Sequence, residues 1–145
     1  MFKRIAVGYD GSTCANEAVR TALNLISGPG AHLSVVAVVA PARGETDEDR
    51  QAAFDADADH IRRAAEAHRR AAESQGIEYH VEVVTGSSPA DALVSIVAER
   101  GFDLLVVGRH GRERAGHAGM GWNAHRLVSD AACPVLVAGD GKPAT

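Results

Sequence analysis

An α/β domain is predicted, with a five-stranded, mostly parallel sheet in the order 3-2-1-4-5 and helices on both faces. Three observations lead there. Short apolar runs alternate with segments of helical periodicity as β-α-β-α-β-α-β-α-β, an order that calls for right-handed crossovers. Two of the runs, Leu33 to Val39 and Asp103 to Val107, are almost wholly aliphatic, as strands buried on both faces are. Aromatic residues make up only 4% of the 145, so the core is built from Ala, Val, Leu and Ile.

The first strand is Arg4 to Tyr9, ended by Asp10-Gly11-Ser12, a turn that can also cap a helix. From Thr13, Ala15, Val19, Ala22, Leu23 and Ile26 recur at helical spacing until Gly28-Pro29-Gly30 stops the pattern. Leu33 to Val39 is the second strand. A long helix over Asp47 to Ser74 follows, its apolar stripe marked by Phe54, Ala58, Ile61, Ala65 and Ala72, with His68 packed at its edge. Its other face, with Arg62, Arg63, Glu66, Arg69, Arg70 and Glu73, reads as solvated and laced with ion pairs. Ile77 to Val84 alternates apolar residues with Glu78, His80 and Glu82, the pattern of an edge strand with one wet face. Ser88-Pro89-Ala90-Asp91 supplies an N-cap, a proline at the first helical position and an acidic residue two positions on. The helix it opens ends at Gly101, and Asp103 to Val107 is the fourth strand. The polar segment Gly108 to Gly121, a helix through Leu127, Val128 and Ala131, and a fifth strand at Pro134 to Ala138 complete the chain. No linker or repeat divides it, so residues 1–145 are read as one domain, a size that buries roughly 70% of the surface its unfolded chain exposes.

A formal charge of −4 argues against a general nucleic-acid binder, which needs a basic face. Cys14 and Cys133 lie far apart without metal-ligand or redox spacing and read as small hydrophobes. The opening Met1-Phe2-Lys3-Arg4 runs straight into a strand, and no apolar run approaches the ~20 residues that span a membrane, which predicts a cytoplasmic protein with no membrane partner.

Sheets of this kind bind ligands at the carboxyl ends of the strands where the order reverses, which brings the loops after Tyr9 and Val107 together. The second loop reads Gly108-Arg109-His110-Gly111, then nine residues, then Gly121 at the start of the last helix. Its glycines permit close approach and let backbone N–H groups turn toward an anion, and the helix start adds the positive end of a dipole. Arg109, His110, Arg112, Arg114 and His117 make it basic within an acidic protein, so phosphate is its natural guest. Asp10 either accepts hydrogen bonds from ribose hydroxyls or serves only to cap the first helix.

Ile5-Ala6-Val7-Gly8-Tyr9-Asp10-Gly11-Ser12, Gly86-Ser87-Ser88-Pro89, Asp103-Leu104-Leu105-Val106-Val107-Gly108 and Cys133-Pro134-Val135-Leu136-Val137 resemble the signatures of the universal stress protein family. The resemblance runs over essentially the whole chain. Gly108, Gly111 and Gly121 match the spacing of the family's ATP-binding members: a glycine, two residues, a glycine, nine residues, a glycine. It implies a Rossmann-like fold of the adenine-nucleotide alpha-hydrolase type and a stress-response or signalling role with ATP or AMP, with or without Mg2+. It also implies contacts to ribose and adenine from Asp10 and the Val38 backbone, and to ribose and phosphates from Gly108, Gly111 and Gly121. Arg109, His110, Arg112, Trp122 and Asn123 are the candidates for touching the phosphates or gating the site. Where the family's ATP binders carry Ser or Thr after the last glycine, this chain carries Trp122. An indole turned inward would fill phosphate space; turned outward, it would leave the backbone site intact.

The Gly-x4-Gly-Lys-Ser/Thr phosphate loop, the Gly-x-Ser-x-Gly nucleophile turn and the third-strand aspartate of receiver domains are all absent. No catalytic trio has a supporting sequence context, and no general base or metal-binding cluster stands out beside the proposed phosphates, so a non-enzymatic role is expected, with slow ATP hydrolysis as the conceivable alternative. Two functions remain: a nucleotide-binding signalling protein, or an interaction module whose phosphate site is altered by Trp122. Either is expected to be a homodimer, because the apolar fifth strand, Pro134 to Ala138, lies at a sheet edge that pairing with its own copy would cover.

Overall fold

The computed structural model describes residues 2–110 and 121–139. The elements run β1 (Arg4–Gly8), α1 (Thr13–Leu25), β2 (His32–Val39), α2 (Asp47–Glu66), α3 (Arg69–Ser74), β3 (Glu78–Thr85), α4 (Pro89–Arg100), β4 (Leu104–Gly108), α5 (Trp122–Asp130) and β5 (Val135–Ala138). The sheet order is β3-β2-β1-β4-β5, every pairing parallel, as the sequence predicts. Chain reversal between β3 and β4 sends the helices to opposite faces. Ile5, Val7, Leu33, Val35, Leu104 and Val106 pack with α1, α2 and α3, while Ala6, Val36, Leu105 and Val107 pack with α4 and α5. Ile5, Leu33, Leu105 and Leu127 are fully buried, each contributing about 1.5–3 kcal/mol of transfer free energy.

Capping chemistry sets most helix starts. Ser12, Thr46 and Ser88 each accept a hydrogen bond from the backbone N–H three residues on, and Pro89 follows Ser88 at the first helical position. Gly101 closes α4 in the left-handed region at φ 69°, which a Cβ would oppose.

The single long helix expected over Asp47 to Ser74 is instead two. The Ala65 carbonyl accepts the Tyr79 hydroxyl at 2.5 Å and the His68 N–H at 3.2 Å. A carbonyl so occupied, with a tightened i to i+3 bond, interrupts the helical ladder, and Arg69 starts a new short helix. His68 Nε2, at the break, lies 2.9 Å from Asn16 Oδ1, which also accepts the Tyr9 hydroxyl at 2.6 Å. Asn16 Nδ2 donates to the Ser12 carbonyl at 3.1 Å, which orients the amide and leaves neutral His68 as the donor. Burial, and secondarily the Arg20 charge, holds the His68 pKa below its ordinary value.

Candidate functional site

Beyond Gly8 and Val107 the two central strands part. The Tyr9 N–H donates to Val36 of β2 at 2.9 Å, and the Arg109 N–H to Ala138 of β5 at 2.7 Å. The seam between β1 and β4 therefore opens at its carboxyl end, the place where open α/β sheets take ligands.

Asp10 enters this seam from β1. Its Oδ1 accepts the Ser12 N–H at 2.9 Å, tightening the turn, while Ser12 itself caps α1 through the Ala15 N–H at 3.1 Å. Capping is thus the serine's task and Asp10 shapes the loop ahead of it. The same carboxylate is a lesser cause, behind burial, of a raised Tyr9 pKa. Val38 sits opposite Val84 in the β2–β3 register, on the α4 side of the sheet.

Gly108 ends β4 against the first turn of α1. Gly121 is the N-cap of α5 at φ −72°, an ordinary backbone angle, so its requirement is one of space: a Cβ would meet the Arg109 carbonyl oxygen at 3.3 Å and His110 Cα at 3.5 Å. The Gly121 N–H donates to that carbonyl at 2.6 Å, tying the start of α5 to the end of β4. Having no side chain, Gly121 leaves α5 without a side-chain cap, unlike α1, α2 and α4. The first-turn N–H groups of a helix in that condition suit an anion.

His110 turns inward rather than lying on the surface. It is 4% exposed, with Nδ1 3.9 Å from the sulfur of buried Cys14. Its Nε2 and the Arg109 Nε are buried with no hydrogen-bond partner among the described residues. Sequence reasoning placed His110 in this loop but not its pairing with Cys14, since residues 96 positions apart meet only through the packing of α1 on β4. Trp122 points out: its side chain is 70% exposed on the first turn of α5, beside exposed Asn123. Together with His125, Arg126, Ser129 and Asp130 it borders a shallow groove of about 500 Å³. Gly111, Arg112, Arg114 and His117 lie outside the described residues.

Among the described residues, no helix is long and apolar enough to cross a membrane. A universal stress protein of Thermus aquaticus is 29% identical over 139 residues, covering 94% of this chain and 98% of that one. The UspA universal stress protein of Lactobacillus plantarum superposes with a TM-score of 0.80 at 21% identity, covering 95% of this chain and 99% of its own. A universal stress protein family protein of Arabidopsis thaliana, solved with AMP bound, superposes at 0.65 with 20% identity, covering 97% and 95%. The five-stranded order, the seam between β1 and β4 and the glycines that border it agree with a match to the Universal stress protein family over residues 1–139, and the chain belongs to that family.

Proposed function

We propose that this chain is an adenine-nucleotide-binding signalling protein of the cytoplasm, working by binding rather than catalysis. The observation that carries the reading is the composition of the β1–β4 seam. An uncapped helix start at Gly121 adjoins the backbone of Arg109 and His110, whose side-chain Nε and Nε2 are buried without a hydrogen-bond partner among the described residues, and the Asp10 loop follows the neighbouring strand. Helix-end N–H groups and basic nitrogens fit phosphate, and a carboxylate fits ribose hydroxyls. A bound AMP in the Arabidopsis relative supports the same ligand class. Trp122 in place of a hydroxyl residue removes one phosphate contact, which favours AMP over ATP, with or without Mg2+.

Equilibrium binding of AMP and ATP to the wild type, Gly121→Val and Asp10→Asn tests this. The valine intrudes on the Arg109 carbonyl and His110, whereas the asparagine variant keeps an acceptor for the Ser12 N–H and loses only the charge. Saturable binding that is lost in the first variant and weakened in the second is expected. No saturable binding by the wild type sinks the proposal.

We further propose a homodimer through β5, an edge strand whose Val135, Leu136 and Val137 are only partly buried. Light scattering should give twice the chain mass, and a monomer would count against it. One observation favours an interaction module instead: Trp122 and Val128, 70% and 52% exposed, are the large apolar side chains left in solvent among the described residues, and both lie on α5. Loss of partner capture in Trp122→Ser with nucleotide binding absent would select that reading.

A further inference from the structure

The amino-terminal end of the sheet, opposite the nucleotide seam, carries a second constellation. His32 opens β2 and Glu78 opens β3, and the two are direct partners in the parallel register. His80 follows Glu78 by two residues, so alternation along the strand returns it to the same face. That face is the α4 side of the sheet, the side on which Val36 and Val38 lie further along β2. His32 Nδ1 lies 2.7 Å from Glu78 Oε2, and His80 Nε2 lies 3.7 Å from the same oxygen. The two imidazoles stack with centroids 6.2 Å apart and planes 10° from parallel. One donor atom from each of the three side chains lies within 4.8 Å of the others.

We infer that His32, Glu78 and His80 form a binding site for a divalent transition-metal ion of the Zn2+ type. Two imidazoles and one carboxylate are a donor set that suits zinc, nickel or copper and ill suits magnesium or calcium, which take oxygen. Bond lengths of about 2.0–2.2 Å place tetrahedral donors about 3.4 Å apart. The distances at Glu78, 2.7 and 3.7 Å, straddle that value, and the remaining pair of donors also lies within 4.8 Å. The backbone beneath is a continuous parallel ladder from His32–Glu78 to Val39–Thr85, a rigid base that holds the three positions before any ion arrives.

The neighbouring groups are engaged elsewhere. Glu82, two residues beyond His80 on the same strand, is held in a two-nitrogen pair by Arg100, one contact at 2.8 Å. It is therefore committed. Arg4 donates to the Arg100 carbonyl and stands 5.4 Å from the centre of the Phe102 ring. With Ser34 these groups border an open trough of about 290 Å³ beside the histidines, which gives an ion a route in and room for water at its fourth position. The Glu78 and His80 side chains are 60% and 59% exposed, so substituting them spares the core.

The test is calorimetric titration of the metal-free full chain with ZnCl2, in nucleotide-free buffer, for the wild type, His80→Ala and Glu78→Gln, with far-UV circular dichroism to confirm folding. The wild type should bind one ion, and each variant should weaken binding by about tenfold or more, the scale on which even supporting contacts to a metal act. Nickel ions, being paramagnetic, should broaden the imidazole proton resonances of His32 and His80 before those of His68 or His125. No saturable binding by the wild type overturns the inference. So does zinc binding that is undiminished in both variants, since the ion would then reside elsewhere.

Discussion

Gly108 at the end of β4 and Cys14 in the first turn of α1 approach so closely that a Cβ on the glycine would stand 2.8 Å from the Cys14 Cβ and 2.9 Å from its carbonyl carbon. The Ala15 nitrogen would lie only 3.0 Å away. A glycine that the sequence marks as a ligand-loop residue is thus also a packing residue, the point where α1 lies on the sheet.

Gly108→Ala is therefore expected to destabilise the fold by about 1–3 kcal/mol, the range for overpacking a tight interior, because two of the opposing atoms belong to the backbone of α1 and have little freedom to yield. Urea denaturation of the two proteins checks this. An unchanged midpoint would show that α1 can move away from β4.

Trp122→Ser should leave stability within about 0.5 kcal/mol of the wild type, since the indole is 70% exposed and surface changes away from special features are small. The same change places a hydroxyl at the start of α5, and the affinity for ATP should rise. A large loss of stability in thermal melts would mean that the indole packs on the chain in solution.

Tyr79→Phe removes the hydroxyl that donates to Ala65. The carbonyl keeps the His68 N–H, so no acceptor is orphaned and the cost should be about 1 kcal/mol. That hydroxyl is held protonated in the fold, burial raising its pKa above the ordinary value, so the cost should be constant across neutral pH. Denaturation at several pH values checks both points.

His68 gives a pH dependence of definite sign. Its folded pKa is depressed from 6.5, first by burial, so the unfolded chain binds the proton more readily. Stability is then full above about pH 6.5 and falls as the pH is lowered from there toward the folded pKa. Glu66 and Glu82, whose pKa values are also lowered, act in the more acidic carboxylate range. His68→Gln keeps a donor for Asn16 and cannot titrate, so its stability should be flatter between about pH 5 and 7. Equal slopes for the two proteins would show that His68 is protonated without penalty.

Strand order, the faces the helices cover and the caps at Ser88 and Gly101 were legible in the sequence because each follows from local chemistry: aliphatic runs, helical spacing, a serine before a proline, a glycine where φ turns positive. The glycines around the seam were legible for the same reason, as was the parallel direction of the strands, which the intervening helices impose. Other features depended on residues far apart in the chain. The break at His68 needs the Tyr79 hydroxyl to reach back across the β3 interface, and no propensity within Asp47 to Ser74 encodes it. Whether Trp122 points inward or outward, and that His110 lies against Cys14, were settled by how α5 and α1 seat on the sheet. Glu78 and His80 were visible as the wet face of an edge strand, but His32 joins them only through the β2–β3 register. The sequence by itself determined the strands, their order and, apart from the break at His68, the helices between them. Only the tertiary structure decided which side chains meet, because such meetings are set by packing between elements rather than by the residues within them.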